Sequence, residues 1–201
     1  MKMILFDFDG VLVDTLSICF SLNAENNAGL SLEEYKSFFT GNVYNSKRTD
    51  GSSMTYRDDY FDQYAKKTRE LKVPQEIKDI LKNLSTKYKI IIVSSAPKPQ
   101  IKDILDRESV SYCFADIYGS DLHTSKVVKI KKLLNEFDIT SKDVIYITDT
   151  TGDIIEAREC GVESIAVSWG FHNKENLLNE KPFALVDTPQ ELQQKIEEFF
   201  K

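Results

Sequence analysis

The feature that most constrains this chain is a series of short apolar runs that alternate with amphipathic helical patterns. Four runs are continuous and two are weaker, and they occupy residues 3–8, 88–93, 143–148 and 164–167, then 114–118 and 183–186. Short runs bounded by polar residues are typical of strands buried in a parallel sheet. Around Ile80, Leu133 and Ile196, apolar residues recur with a 3.6-residue period. This alternation predicts an α/β fold in which helices cover a parallel sheet.

One stretch interrupts the alternation. Residues 16–72 contain no convincing buried strand and are rich in Asn, Tyr, Lys and Asp, with scattered helical patches. We therefore predict a helical insertion at 16–72, with the α/β core formed by residues 1–15 and 73–201. Within the insertion, residues 41–53 are polar and rich in turn-forming residues, which predicts a mobile loop between helices.

Composition narrows the classes of protein that fit. The 201 residues are 41% hydrophobic, which is enough for a substantial core. A formal net charge of −6 disfavours binding to nucleic acid or to an anionic membrane. The chain has no stretch near the roughly 20 apolar residues of a membrane span, and its N-terminus does not fit a secretory signal. We expect a cytoplasmic protein, a monomer or homodimer, without a nucleic-acid or membrane partner.

The three cysteines and two histidines give no sign of a disulfide framework or a zinc site. Cys19, Cys113 and Cys160 are widely separated, so we predict buried or incidental free thiols. His123 lies close to Lys126 in sequence, and a surface or helix-capping position is favoured over contact with substrate.

Acidic residues stand at the end of the first apolar run, where the sequence DFDGVLVDT spans residues 7–15. In open α/β sheets, ligands bind beyond the carboxyl ends of the strands. Asp7 and Asp9 are two residues apart, so in an extended chain they point the same way, and their like charges favour a divalent cation nearby. The alternative interpretation is a strand that simply ends in an Asp-Gly turn.

This motif resembles the first motif of the haloacid dehalogenase (HAD) superfamily of hydrolases. The resemblance implies that Asp7 is the nucleophile and Asp9 the general acid and base. A carboxylate can form an acyl phosphate if a neighbouring group protonates the leaving oxygen and then activates water. Haloacid dehalogenases themselves lack an Asp at the second position, so Asp9 favours phosphoryl transfer over dehalogenation. The implied fold is a three-layer α/β/α sandwich with a parallel Rossmann-like sheet and a small helical cap inserted after the first strand.

The apolar run at 88–93 is followed by Ser94 and Ser95 and resembles the second HAD motif. The resemblance implies that Ser94, Ser95 and, from the first motif, Gly10 bind the phosphoryl group together with a lysine. Neutral donors aimed at phosphoryl oxygens suit that role. For Ser94, a helix N-cap is the alternative.

Lys126 begins an amphipathic helical pattern, where its charge opposes the helix dipole unless an anion lies nearby. Its position resembles the third motif, in which a lysine contacts both the nucleophile and the phosphate. The neighbouring lysines are predicted to form a solvated helix face: Lys129, Lys131 and Lys132.

The apolar run at 143–148 is followed by Asp149 and Asp153, which resemble the fourth motif, DxxxD. The resemblance implies Mg²⁺ as cofactor, held by the side chains of Asp7 and Asp149, by the main-chain carbonyl of Asp9, and by Asp153 directly or through water. Few protein ligands suffice, because Mg²⁺ keeps several waters. Thr148 departs from the pattern, since many family members have Gly there.

Together the motifs resemble phosphoglycolate phosphatase and β-phosphoglucomutase-like members with a small cap. They predict a phosphatase that hydrolyses a small phosphorylated metabolite through an aspartyl phosphate. A phosphomutase and a non-catalytic binding or regulatory protein of the same fold are the alternatives. The segment around Trp169 also resembles this subfamily, although a core aromatic at a strand exit is equally consistent.

Phosphoglycolate, sugar phosphates and nucleoside monophosphates all remain candidate substrates. Candidate specificity residues in the insertion carry amides, hydroxyls or positive charge, and a solvated surface role is the alternative for each of them. They are Asn23, Asn26, Tyr44, Lys47, Arg48, Tyr56 and Arg57.

Overall fold

A computed structural model describes residues 1–53, 55 and 58–201 and centres on a parallel sheet. The strands are β1 Met3–Phe6, β2 Lys89–Val93, β3 Asp116–Tyr118, β4 Val144–Thr148, β5 Glu163–Val167 and β6 Ala184–Val186. They lie in the order β3-β2-β1-β4-β5-β6, and all the neighbouring pairs are parallel. All six predicted strands are therefore present.

The first strand is two residues shorter than predicted. The backbone N–H of Asp7 still donates to the Ile147 carbonyl at 2.9 Å, but the Phe8 carbonyl accepts the Leu12 N–H at 2.9 Å. The chain thus turns away from the sheet directly after Asp7. Since β1 pairs with β2 on one side and β4 on the other, this turn lies where the strand order reverses. Such a crevice is the usual ligand site of open α/β sheets.

Helices cover both faces of the sheet. They are α1 Leu16–Ala24, α2 Leu32–Ser37, α3 Tyr60–Lys67, α4 Gln75–Ser85, α5 Lys98–Arg107, α6 Lys126–Glu136, α7 Thr151–Glu159, α8 Lys174–Asn179 and α9 Pro189–Phe199. Successive β1 side chains point to opposite faces. Ile4 and Phe6 pack with α4, α5 and α9, whereas Met3 and Leu5 pack with α6 and α7. This is the predicted three-layer α/β/α sandwich.

Helices α1, α2 and α3 lie between β1 and β2 and form the predicted helical insertion. They have an apolar cluster of their own, which includes Leu22, Tyr35 and Tyr64 together with Phe171 of the core. The described part of residues 16–72 contains no strand beyond an isolated bridge between Lys47 and Ser53. We call residues 16–72 the cap, and its exact boundaries and the mobility of residues 41–53 stay predictions.

Two further expectations concern the cysteines and membrane spans. Cys19 and Cys113 are buried, Cys160 is half-buried, and all three are free thiols, as predicted. Across the described ranges, every helix is too short or too polar to cross a bilayer.

Candidate active site

The centre of the site is an ion network that joins three segments of the core. Lys126, the first residue of α6, donates from Nζ to Asp7 Oδ2 at 2.8 Å and to Asp153 Oδ2 at 2.6 Å. Lys126 is 3% exposed and both carboxylates are buried. A buried ammonium at a helix N-terminus is unfavourable on its own, so the two carboxylates compensate it. The structure thus brings together Asp7, Lys126 and Asp153.

The pKa values in this network follow from burial and charge. Burial alone would lower the pKa of Lys126, but the carboxylates of Asp153 and Asp7 outweigh it and raise that pKa above its ordinary value. Burial raises the pKa of Asp7, and Lys126 opposes this only in part. For Asp153, the ammonium of Lys126 outweighs burial and lowers the pKa. The lysine therefore remains charged and has Asp153 as its ionised partner.

Asp149 lies at the end of β4 in a space that glycines leave for it. Its Oδ2 accepts the Phe171 N–H at 2.7 Å. A Cβ on Gly10 would lie 2.0 Å from that oxygen and a Cβ on Gly170 would lie 2.2 Å from it. Gly10 also has a φ of +77°, which favours glycine. Gly10 thus makes room for Asp149, a role that the sequence analysis did not assign.

The other oxygen of Asp149 fits a cation. Oδ1 is buried and has no hydrogen-bond partner among the described residues, and burial raises the pKa of Asp149 to about 7. Within the described ranges, no three acidic, histidine or cysteine side chains converge to form a metal site by themselves. A hard cation that keeps several waters needs fewer protein ligands, so the buried, unpartnered oxygen is compatible with Mg²⁺.

The end of β2 supplies a buried loop. Ser94 Oγ accepts the Ala96 N–H at 3.0 Å, and Ser95 lines the cavity beside Asp7. The residue preceding α5 is Pro97, so the interpretation of Ser94 as a helix N-cap is wrong. The Ser94 carbonyl accepts a hydrogen bond from Lys129 Nζ at 2.5 Å.

This contact corrects the prediction that Lys129 belongs to a solvated helix face. Lys129 is fully buried, and burial lowers its pKa to about 8. It lies three residues after Lys126 on α6 and therefore on the same inward face. Lys131 and Lys132 are exposed, as predicted.

Thr148, the departure from the usual glycine, contacts the ion network. Its Oγ1 donates to Asp153 Oδ2 at 2.7 Å, and the Tyr146 hydroxyl donates to the same oxygen at 3.3 Å. Neither residue has a role that is predicted from the sequence. For Thr148, the one sequence signal is that threonine replaces the glycine found in many family members. Tyr146 has no such signal, because an aromatic residue is common within a strand.

Asp9 is linked to the cap. Its Oδ1 accepts hydrogen bonds from Thr15 Oγ1 at 2.7 Å and from the Tyr64 hydroxyl of α3 at 2.8 Å. Burial raises the pKa of Asp9, and these two hydroxyls oppose the shift. Tyr64 was missed, because an aromatic residue at helical spacing predicts packing rather than a contact with a carboxylate 55 residues away.

Further contacts hold the cap against the core. The Tyr44 hydroxyl donates to the Ser95 carbonyl at 2.7 Å, and Asn42 Nδ2 lies 3.3 Å from Glu156 Oε1. His172 Nε2 lies 2.9 Å from the Lys36 carbonyl. A Cβ on Gly152 would lie 2.6 Å from the Gly41 carbonyl oxygen, so the two backbones approach closely at this point. The cap therefore closes over the carboxyl ends of the strands.

Between cap and core lies a cavity of about 410 Å³ that Asp7, Asp9, Ser95, Lys126 and Asp153 line from below. Two of the predicted specificity residues, Asn23 and Tyr44, also line it. Three others are described but do not line it: Asn26 is exposed, Lys47 pairs in the isolated bridge, and Arg48 binds Glu34 at 3.4 Å. Tyr56 and Arg57 lie outside the described residues.

His123 and Trp169 are not part of the described cavity lining. His123 is exposed, as expected, and its Nδ1 accepts the Ser125 N–H at 2.9 Å, while the N-cap of α6 is Ser125. Trp169 is half-buried against the core and donates from Nε1 to the Val11 carbonyl at 3.2 Å.

Known proteins resemble this chain along its whole length. The chain is 25% identical over its full length to the phosphoglycolate phosphatase of Synechococcus elongatus, all of which is covered. Two solved structures share the fold with a TM-score of 0.75. One is a haloacid dehalogenase-like hydrolase from Streptococcus pneumoniae, 24% identical and covering 100% of this chain and 99% of its own. The other is a predicted phosphatase from Clostridium acetobutylicum, 26% identical and covering 98% of each chain.

The family model for haloacid dehalogenase-like hydrolases matches residues 4–167, which contain the cap and every carboxylate and lysine of the ion network. The chain therefore belongs to the haloacid dehalogenase-like hydrolase family.

Proposed function

We propose that this protein is a Mg²⁺-dependent phosphatase that hydrolyses a small phosphorylated metabolite through a phosphoryl group carried on Asp7. The observation that carries the proposal is the position of Lys126 Nζ, which bonds to Asp7 at the floor of the cavity that Asp9 also lines. A nucleophile, a proton donor and a fixed positive charge therefore face one space. The names of the relatives, phosphoglycolate phosphatase among them, support the same reaction class.

In the first step, a carboxylate oxygen of Asp7 attacks phosphorus, and the bond between phosphorus and the ester oxygen breaks. Asp9 gives its proton to that leaving oxygen, and the raised pKa of Asp9 favours the protonated form that this step needs. Lys126 keeps Asp7 in place and offsets the negative charge of the phosphoryl oxygens.

In the second step, the same groups release phosphate. Asp9, now ionised, accepts a proton from a water molecule while that water attacks phosphorus, and the bond to Asp7 breaks. The Ser95 segment and Lys126 hold the phosphoryl group meanwhile. Splitting one difficult displacement into two is the advantage of the covalent intermediate.

Mg²⁺ would be held by the side chains of Asp7 and Asp149, by the main-chain carbonyl of Asp9 and by Asp153, directly or through water. It would supply positive charge to the phosphoryl oxygens and allow two buried carboxylates to remain ionised together. The unpartnered Asp149 Oδ1 supports this assignment.

The test is phosphate release from a panel of phosphorylated metabolites, with Mg²⁺ or with EDTA. Wild type should release phosphate only with Mg²⁺, and Asp7→Asn should release none. The matched control is Asp14→Asn, because Asp14 is an exposed acid of the same segment. Mass spectrometry of quenched wild type should show one added phosphoryl group on the peptide that contains Asp7.

Two outcomes would contradict the proposal. Formation of a phosphate isomer without release of phosphate would indicate a phosphomutase. Equal and negligible release by wild type and Asp7→Asn would favour a binding or regulatory role.

A further inference from the structure

The cap side of the cavity consists mainly of aromatic side chains. Its described lining includes Phe38, Phe39, Tyr44, Tyr60, Phe61 and Tyr64. Phe39 packs edge-to-face on Phe171 with ring centroids 5.0 Å apart, and Tyr60 does so on Phe61 at 5.2 Å. The rings of Phe39, Tyr60 and Phe61 therefore pack against neighbouring rings. They present apolar surface to the part of a substrate that extends from the phosphoryl group towards the cap. Surfaces of this kind bind planar groups by burial and stacking.

The charge around this space is negative. Among the described lining residues, Lys126 is the only cation, and it already binds Asp7 and Asp153. Asp58 and Glu156 line the cavity as well. A second anionic group on the substrate, such as a carboxylate, would meet these acids and no free cation in the described part of the lining.

The two described cations among the residues predicted for the cap do not change this balance. Arg48 donates to the Ala28 carbonyl at 3.1 Å and pairs with Glu34. Lys47 is not among the described lining residues. Arg57 lies outside the described residues, so its contribution has to be measured directly.

We propose that the leaving group is an uncharged alcohol that carries a planar ring, and that carboxylated phosphates such as phosphoglycolate are poor substrates. This inference rests on the phosphatase activity proposed above and adds the substrate class. The ring lies against the aromatic wall of the cap while the phosphoryl group meets Asp7 and Lys126. A nucleoside and a pyridine alcohol share this chemistry, and the experiment separates them.

The test compares kcat/KM for four phosphates with Mg²⁺. Adenosine 5′-monophosphate and pyridoxal 5′-phosphate carry rings, glycerol 3-phosphate is uncharged beyond its phosphate, and 2-phosphoglycolate carries a carboxylate. We expect at least one ring-bearing substrate to exceed 2-phosphoglycolate by about 100-fold, with glycerol 3-phosphate between them. Which ring-bearing phosphate leads identifies the source of the ring.

The outcomes separate this inference from the proposed function. Acetyl phosphate, a reactive phosphoryl donor without a ring, reports the reaction itself. If neither it nor the panel is hydrolysed with Mg²⁺, the proposed function and this inference are both overturned. If 2-phosphoglycolate leads the panel, or glycerol 3-phosphate matches the ring-bearing compounds, only the substrate class is overturned.

Variants locate the effect in the cap. Phe61→Leu keeps apolar volume but removes a flat ring, so it should lower kcat/KM for the best ring-bearing substrate about 10-fold more than for glycerol 3-phosphate. Tyr112→Leu is the control, because Tyr112 is 69% exposed and lies outside the cavity lining. Equal losses on both substrates would mean that Phe61 only supports the fold. Arg57→Gln should not change the order of substrates, and a phosphoglycolate activity that depends on Arg57 would overturn the inference.

Discussion

The two sides of the cavity differ in the chemistry of their side chains. The core side holds buried ions, and Lys126 and Asp153 are fixed by hydrogen bonds whose partners come from neighbouring strands and helices. The cap side holds aromatic rings and reaches the site chemistry through single hydroxyls, those of Tyr64 and Tyr44. Under the proposed function, the core would determine the reaction and the cap would determine which leaving group is accepted.

Removing the central charge of the core should have the largest effect. In Lys126→Met, Asp7 and Asp153 lose their common donor, and the buried carboxylates are left facing each other. We expect kcat to fall about 10³-fold, as when a preorganised electrostatic donor is removed, and unfolding to be easier by about 3 kcal/mol. Steady-state kinetics and urea denaturation measure the two effects.

The control for this variant is Lys132→Met, which removes an exposed lysine of the same helix. It should leave kcat within about two-fold of wild type, as is usual for exposed positions. If Lys126→Met also kept kcat within ten-fold, the core side would not depend on this ion network.

The sequence could place the core-side residues and could not place most of the cap side, for a physical reason. In a parallel sheet, residues at the carboxyl ends of the apolar strands meet at one edge, so the pattern of runs brings Asp7, Ser95 and Asp149 to the same edge, whereas their roles rest on the resemblance to the HAD motifs. The face of α6 that carries Lys129 was misassigned, because lysine in a helical pattern normally indicates solvent.

No pattern in the sequence predicts the contacts between cap and core in the way that the apolar runs predict the edge of the sheet. Tyr64 reaches Asp9 because α3 folds back over β1, and neither the length nor the pattern of the insertion specifies that approach. The close approach at Gly152 likewise depends on where the cap backbone lies. The contacts of the cap therefore depend on its tertiary packing, which its sequence pattern does not specify.

The second largest effect concerns Lys129, the other buried lysine of the core side. Its lowered pKa, about 8, means that between about pH 8 and pH 10.4 the unfolded chain holds a proton that the native state has lost. The contribution of Lys129 to the free energy of unfolding should therefore rise with pH across this window, by about 3 kcal/mol at most, and the difference between wild type and Lys129→Met separates it from the other groups that titrate there. Denaturation of wild type and Lys129→Met at pH 7.5, 9 and 10.5 measures the rise.

In Lys129→Met this contribution should be absent, because methionine does not titrate, so the stability difference between the two proteins should change with pH. Lys132→Met should keep the wild-type pH profile, since it leaves Lys129 in place. Parallel profiles for wild type and Lys129→Met would show that Lys129 stays protonated against the Ser94 carbonyl throughout.

The third prediction tests the contact between the two sides. In Gly152→Ala, the new Cβ would lie 2.6 Å from the Gly41 carbonyl oxygen and 2.7 Å from that of Phe39, so the cap has to move away. We expect kcat/KM to fall about 10-fold. Thermal stability should fall as well, because the lost contacts between cap and core outweigh the gain of up to about 1 kcal/mol from alanine's helix propensity.

Gly41→Ala, on the other side of the same contact, is the matched control. Nothing lies within 4 Å of a Cβ at Gly41, and its φ of −153° suits any residue. Its kcat/KM should stay near that of wild type. A loss equal to that of Gly152→Ala would mean that the loop is sensitive to any substitution and that closeness of approach is not the cause.

The smallest effect should come from the Tyr64 hydroxyl, one of the groups that join the two sides. Tyr64→Phe keeps the ring but removes the donor to Asp9 Oδ1, a hydrogen bond of about 1 kcal/mol, or roughly five-fold in rate. If Asp9 protonates the leaving oxygen as proposed, kcat/KM for glycerol 3-phosphate should fall by that factor. p-Nitrophenyl phosphate, whose phenolate leaves without a proton, should change less than two-fold. Tyr112→Phe should alter neither substrate, and equal losses on both in Tyr64→Phe would show that Tyr64 acts on the cavity walls instead of through Asp9.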